Sequence, residues 1–553
     1  MRRPGCVATL AAMTATFPVT WDDPGDAAHT WNLERMHAPE PMTPADAVVF
    51  RCAFDHGASA AAHAYGLPFR AMTRRINTYL YLALVATSQS DVPDPLETAI
   101  GRLDELWDGE YLPEIHQHLR EWEAVAPADL ALPQLADAVA DSVERMKRLY
   151  ELHFLIWFPF MSAISLFDDF YRDVLGNVSD FDAYRLLQGF DNMTVASGRA
   201  LWQLSRKALR VAPVRAVLER EPAEAVTTAL AATPEGRRFL AALREYLEAW
   251  GQRGDRWGCS FPSWIDDPTP VIKTLHDYVR QPDRDLDGEL AAQAAERERL
   301  VARARERVRR QPADVRERFE FLLRAAQKAI VLTEDHSHWI DFRCMYHVHR
   351  IWLEVGRRFA AAAVLDRPDD VFLLTPDELR EAAAAFPRRD QRSRVAARRA
   401  EMEYFRHLPV PPTLGAPPSA TATADPVSAV LAKFFGPPAA MDPSVADTAT
   451  IRGRRGSPGK AAGTARVLTS LADAHRLQPR DVLVATTTAP PWTPLFATAA
   501  AVVSDTGGIL SHCAVVAREY GIPAVVGTGD ATARIPDGHL VEVDGDAGVV
   551  RLL

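Results

Sequence analysis

At 553 residues the chain exceeds what one hydrophobic core usually serves, so two or more domains are expected. Hydrophobic residues at 48% and charged residues at 25% are ample for packed cores and exclude disorder as the main state. A formal net charge of −10 excludes a general attraction to nucleic acid or to an anionic membrane surface, and neither is expected as a partner.

The start, Met1-Arg2-Arg3-Pro4-Gly5-Cys6-Val7-Ala8-Thr9-Leu10, is too short and interrupted for a secretory leader, and no stretch reads as a transmembrane helix. Five scattered cysteines without metal-type spacing fit a reducing compartment, so a cytoplasmic protein is expected. Residues 1–44 form an arm rich in Trp and Pro (Trp21-Asp22-Asp23-Pro24, Trp31-Asn32, Pro39-Glu40-Pro41). Its prolines forbid one long helix and predict an extended segment laid on another surface.

Residues 45–406 read as a large, mainly helical domain, with Ala-, Leu-, Glu- and Arg-rich windows at three-to-four-residue periodicity. The run Leu152–Met161 predicts a buried core helix or pocket wall bent at Pro159, with His153 as a substrate-binding candidate against the plainer reading of a satisfied core histidine. Trp250-Gly251-Gln252-Arg253-Gly254 reads as a helix C-terminus. In Thr333–Asp341, acids and imidazoles interrupt an Arg/Ala-rich helix. His338 and Asp341, at i,i+3, predict a pair that orients an acceptor hydroxyl and takes its proton, with Glu334 and His336 beside them as substrate-binding residues. Polar groups satisfying one another between helices is the alternative. A metal held by His336, His338 and Asp341 is not expected, because His-x-His on a helix diverges. Asp366–Leu379 predicts a short strand and then a Thr-capped helix from Pro376.

Residues 407–450, rich in Pro, Ala and Thr, predict a semi-rigid linker. From 451 to 553, short Val/Leu/Ile runs alternate with Gly/Asp turns, giving a compact α/β module. Within it Thr506-Gly507-Gly508-Ile509-Leu510-Ser511-His512 places one histidine after a Gly-Gly bend and at the start of a short helix. Free amides and the positive end of the helix dipole there suit a phosphoryl group, making Thr506, Gly507, Gly508 and Ser511 phosphate-binding candidates. Arg518 is a candidate charge partner for the phosphate. Gly453–Ala461 fails as a nucleotide loop: its spacing is off by one, and Ala461 stands where a magnesium-binding hydroxyl belongs.

The stretch Thr506–Pro523 resembles the phosphohistidine signature of the swivelling (mobile) domain of PEP-utilising enzymes. The likeness continues through Gly456-Ser457-Pro458-Gly459, Gly463–Val467, Asp481–Val484, Pro491–Phe496 and Pro523–Gly527, covering about residues 451–553. The arm and the end of the helical domain resemble rifampin phosphotransferase-like proteins. Trp250-Gly251-Gln252-Arg253 with Pro262-Ser263-Trp264 resembles the Tyr-Gly-His-Arg and Pro-x-Trp segments of these relatives, with Gln252 in place of the His, and this likeness makes Gln252 and Arg253 substrate-binding candidates. This resemblance implies that His512 carries a phosphoryl group and that the helical domain holds the acceptor. Because Leu510 stands where the dikinase relatives have a regulatory Thr, that form of control is not expected.

No ATP-grasp domain or PEP-binding barrel is recognisable in the 553 residues. The expectation is therefore a two-protein system: a separate ATP-grasp (PEP/pyruvate-binding-like) protein binds ATP with Mg2+ and supplies the phosphoryl group to His512. The acceptor expected is a hydroxyl of an apolar or aromatic small molecule. A dehydratase that eliminates a phosphorylated hydroxyl, or a non-catalytic binding module, are the alternatives.

Overall fold

A computed structural model describes residues 17–87, 95–176, 179–254, 256–417, 426–436 and 449–553. Its centre is a 44-residue helix, Leu132–Leu175. Pro133 opens the first turn, the Gln134 side chain accepts the Ala131 N–H at 2.8 Å, and Gly176 at φ +67° ends the helix. Pro159 lies inside it. This long helix is apolar enough over 18 residues to cross a membrane, contrary to the sequence reading. However, 78% of that window is buried in the protein, against Ala313–His336 and Arg343–Ala361, as a core helix requires. A second group of helices, Met193–Leu209, Ala212–Arg220, Ala223–Ala231, Pro234–Trp250 and Thr269–Val279, closes around its own core of Val226, Leu275 and Tyr278.

A four-stranded sheet joins strands of the arm, the helical region and the linker that the periodicity reading passed over. β1 (Thr30–Leu33), β2 (Phe69–Ile76), β3 (Tyr79–Ala86) and β4 (Thr413–Gly415) form a sheet in the order β2-β3-β1-β4. β2 and β3 are a hairpin whose two-residue turn puts Asn77 and Thr78 at φ +47° and +73°, the left-handed geometry that matches strand twist. The described part of the arm holds a 3₁₀ turn, Pro24–Ala28, and then β1, which is paired on both sides. One partner, β4, comes from the predicted linker. Pro368–Leu373, predicted as a strand, is a 3₁₀ turn; the helix Pro376–Ala384 follows as expected, with Thr375 and Glu378 exchanging capping bonds.

Eight strands build the C-terminal module: β5 (Thr450–Arg452), β6 (Arg454–Ser457), β7 (Lys460–Leu468), β8 (Val482–Ala485), β9 (Ala501–Ser504), β10 (Ala524–Val526), β11 (Leu540–Asp544) and β12 (Val549–Leu552). Their order is β5-β12-β11-β7-β8-β9-β10-β6, with β7 to β10 parallel and antiparallel strands on either flank. Strands β8, β9 and β10 are buried throughout, which explains their unbroken Val/Leu/Ala runs. The helix His512–Glu519 crosses from β9 to parallel β10, so His512 lies beyond the carboxyl end of a central strand, where open α/β sheets place ligands.

Candidate functional site: a helix-start histidine and a polar cluster of the helical domain

His512 is the first residue of its helix, half-buried beside Phe496. Thr488 Oγ1 stands 3.2 Å from its Nδ1 and Thr493 Oγ1 3.3 Å from its Nε2, so a hydroxyl addresses each ring nitrogen. Burial pushes the imidazole down to about 3, keeping it neutral and its lone pair available at neutral pH. Val515 N–H makes the first bond of the helical ladder, to Ser511 O; the amides of His512 to Ala514 precede that ladder. The sequence reading named His512 but missed Thr488 and Thr493, which arrive from the loop and turn after β8. Thr493 lies within the family-like stretch Pro491–Phe496, whereas Thr488 carries no signal beyond its hydroxyl.

The Gly-Gly bend, expected to receive phosphate, is packed against a helix. Gly507 takes φ +102°, and a Cβ on Gly508 would lie 2.2 Å from Lys433 O. The helix Pro426–Phe435 from the linker fills that space: Gly508 N–H donates to Phe434 O at 2.8 Å and Leu510 N–H to Lys433 O at 2.9 Å. Lys433 in turn pairs with Asp168 at 3.1 Å and Asp169 at 2.8 Å on the long helix, and Phe434 packs edge-on against Trp157. In this arrangement the hydroxyls of Thr506 and Ser511 bond Thr486 O and Gly508 O and brace the bend itself. Arg518 also does internal duty. Its guanidinium donates to Gly456 O and Ile509 O at 2.7 and 2.9 Å over the Tyr184 ring, and burial lowers it to about 10. As placed here, these groups fix the loop that carries His512 instead of reaching toward its ring.

The predicted pair of His338 and Asp341 is not formed. The helix widens into a π turn over Ser337–Phe342, and the extra residue per turn breaks the i,i+3 alignment. His338 Nδ1 meets Arg253 at 2.8 Å, the guanidinium lying over Trp264. Burial, reinforced by the Arg253 charge, drives His338 well below its usual range, so it is the neutral acceptor of that bond. Asp341 instead faces His153 of the long helix, with Oδ1 3.0 Å from Nδ1, while its Oδ2 accepts the Ser337 hydroxyl at 2.9 Å. Burial pushes Asp341 up, but His153, His336 and Ser337 hold it below the ordinary carboxylate value. The His336 ring lies 4.7 Å from that of His153.

Of the other candidates, Glu334 accepts from Thr194 Oγ1 at 2.7 Å, and burial raises it to about 7. Gln252 accepts from Arg343 Nε at 2.8 Å. A pair absent from the sequence reading, Glu34 and His37 at 3.0 Å, completes the neighbourhood, with His37 edge-on to Trp257 at 4.7 Å. Burial opposes charge on both, but their mutual attraction, joined at His37 by Asp341, lowers Glu34 and raises His37. The pair is local, at i,i+3 in the arm, but its packing is not: His37 lies against Phe54, Trp257 and Phe435.

Residues 477–548 match the mobile domain of PEP-utilising enzymes, and residues 152–334 match the fourth domain of rifampicin phosphotransferase. Chondramide synthase of Chondromyces crocatus is 41% identical over 97% of this chain, which spans 14% of that protein. Rifampicin phosphotransferase of Streptomyces sviceus is 28% identical over 76% of the chain, which spans 47% of it. Phosphoenolpyruvate synthase of Aeropyrum pernix is 50% identical over 101 residues, 18% of the chain and 12% of that protein. The chain therefore carries a mobile domain like that of PEP-utilising enzymes and resembles rifampicin phosphotransferase among them. It spans less than half the length of each of these three relatives.

Proposed function

We propose that the chain is the acceptor-binding and phosphohistidine-carrying part of an ATP-dependent phosphotransferase acting on a hydroxyl of an apolar or aromatic small molecule. The observation that carries this reading is His512, a neutral imidazole at a helix start with one threonine hydroxyl at each nitrogen. Its lone pair attacks an activated phosphorus, a P–N bond forms, and the P–O bond to the leaving group breaks. The hydroxyl at the opposite nitrogen then keeps the loaded ring oriented. In the second half-reaction the acceptor oxygen attacks phosphorus in line, the P–N bond breaks, and the acceptor proton passes to a basic side chain of the helical domain.

The donor in this reading is an ATP-grasp unit outside these 553 residues, which binds ATP with Mg2+. The acceptor site is placed in the helical domain because Arg253, His338, His153 and Asp341 collect there among Trp250, Trp264 and Phe154. Transfer between the two requires the contact of Lys433 and Phe434 with the Gly-Gly bend to open.

The test is intact-mass analysis after incubation with ATP, Mg2+ and an ATP-grasp phosphoryl donor. Acid-labile phosphate is expected on the wild type and none on His512→Ala; labelling that survives the substitution defeats the relay. With an accepted substrate, a product heavier by a phosphoryl group marks a kinase, and one lighter by water marks a dehydratase.

A further inference from the structure

We propose that His153, His336 and Asp341 form a binding site for one divalent transition-metal ion of the zinc type, distinct from any Mg2+ that accompanies ATP. The three residues come from separate elements: the middle of the long helix, the last residue of Ala313–His336, and the π turn that follows. Each offers one ligand atom, and these atoms all lie within 4.8 Å of one another. Ligands bound at about 2.0–2.2 Å from a common tetrahedral ion stand roughly 3.3–3.6 Å apart, so small rotations bring this set onto one centre.

The hydrogen bonds around the cluster orient it toward a shared point. His336 Nδ1 lies 2.5 Å from Leu332 O, a carbonyl that can only accept. The proton is therefore on Nδ1 and the lone pair on Nε2, the arrangement in which a second-shell carbonyl sets the tautomer of a metal-binding histidine. Asp341 commits Oδ2 to the Ser337 hydroxyl. Its Oδ1 and the Nδ1 of His153 are 3.0 Å apart, yet neither makes an aligned hydrogen bond to any group. Asp341 is only 3% exposed, so a carboxylate oxygen there that meets His153 without an aligned hydrogen bond gains from a cation on its lone pair. An ion between them satisfies both atoms at once.

Two imidazoles and one carboxylate suit zinc or cobalt; Mg2+ and Ca2+ favour all-oxygen shells. Three protein ligands leave a position for an oxygen of water or of a bound small molecule, as in open zinc sites. His153, 9% exposed, is the least covered of the three and the natural side of entry. The divergence of His336 and His338 anticipated from their spacing does occur, since His338 turns to Arg253. What the spacing could not supply was the third ligand from the long helix.

The experiment uses the full chain, stripped with a chelator and titrated with Co2+ and then Zn2+. One equivalent of Co2+ with visible d–d absorption, displaced by Zn2+, is expected; the absence of stoichiometric binding overturns the proposal. His153→Gln, His336→Gln and Asp341→Asn are each expected to weaken binding at least about tenfold, whereas His338→Gln leaves it unchanged. Undiminished binding in the first three variants also overturns it. X-ray absorption at the cobalt edge of the wild type needs no variant to fold: two imidazole ligands are expected, and fewer than two refutes the assignment. None of these readouts depends on phosphoryl transfer.

Discussion

Replacing His512 with glutamine isolates the electrostatic cost of its burial. The folded protein holds this imidazole at about 3, because burial removes water and no acid compensates. The unfolded chain titrates near 6.5. Between those values the unfolded state binds more protons, so stability is complete above pH 6.5 and is eroded as pH falls toward 3. At about 1.4 kcal/mol per pH unit below 6.5, the erosion between pH 7 and pH 5 is about 2 kcal/mol. Glutamine keeps a polar group between Thr488 and Thr493 but cannot titrate.

The stability of wild type minus that of His512→Gln is therefore expected to fall by about 2 kcal/mol from pH 7 to pH 5. The difference is the right quantity, because other buried groups act in both directions. His336 and His347, both driven to about 3 chiefly by burial, lose stability over the same window. Glu334 and Glu519, raised to about 7 chiefly by burial, gain stability as pH falls from about 7 toward 4.5. Both sets cancel between wild type and variant. Urea titrations at pH 7, 6 and 5 followed by tryptophan fluorescence give the numbers, since Trp492 is buried in the core beside the histidine helix. A difference constant to within about 0.5 kcal/mol across this range would refute the depressed imidazole.

Gly508→Ala is expected to release the linker helix, since the new Cβ would lie 2.2 Å from Lys433 O. Hydrogen exchange at Gly508-to-Leu510 amides should speed up at least about tenfold, corresponding to about 1.4 kcal/mol of lost docking; unchanged protection would show that the bend is held by other contacts. Lys433→Ala removes the same latch from the other side, leaving buried Asp168 with Arg172 as its ion partner, and should raise exchange at the same amides. Arg253→Met leaves the buried His338 acceptor unsatisfied and is expected to destabilise the helical domain by about 1–3 kcal/mol while leaving His512 able to accept phosphate. Thermal unfolding and intact-mass labelling separate the two effects; a loss of labelling would place Arg253 in the loading step instead.

Much of the C-terminal module was legible because its signals are local. Buried parallel strands demand continuous apolar runs, glycine supplies the positive φ at Gly507 and the close approach at Gly508, and a histidine that starts a helix is visible as a string of letters. The helical region was legible in class for the same reason, through its 3.6-residue period and caps such as Thr375 with Glu378. The β2–β3 hairpin was missed because a short alternating run surrounded by helical pattern carries little weight until its partner strands are known.

The candidate site divides along the same line. His512, Arg253, His338, His153 and Asp341 were named from the sequence, but only the tertiary structure decided their pairings: a π turn rotates Asp341 away from His338, and the long helix brings His153 to it across 188 residues of chain. Thr488 and Thr493 likewise meet His512 only through the fold, across 24 and 19 residues. Residue type and spacing thus singled out the candidate groups. Packing of whole helices and sheets, set by buried apolar area that no single motif contains, decided which of them meet.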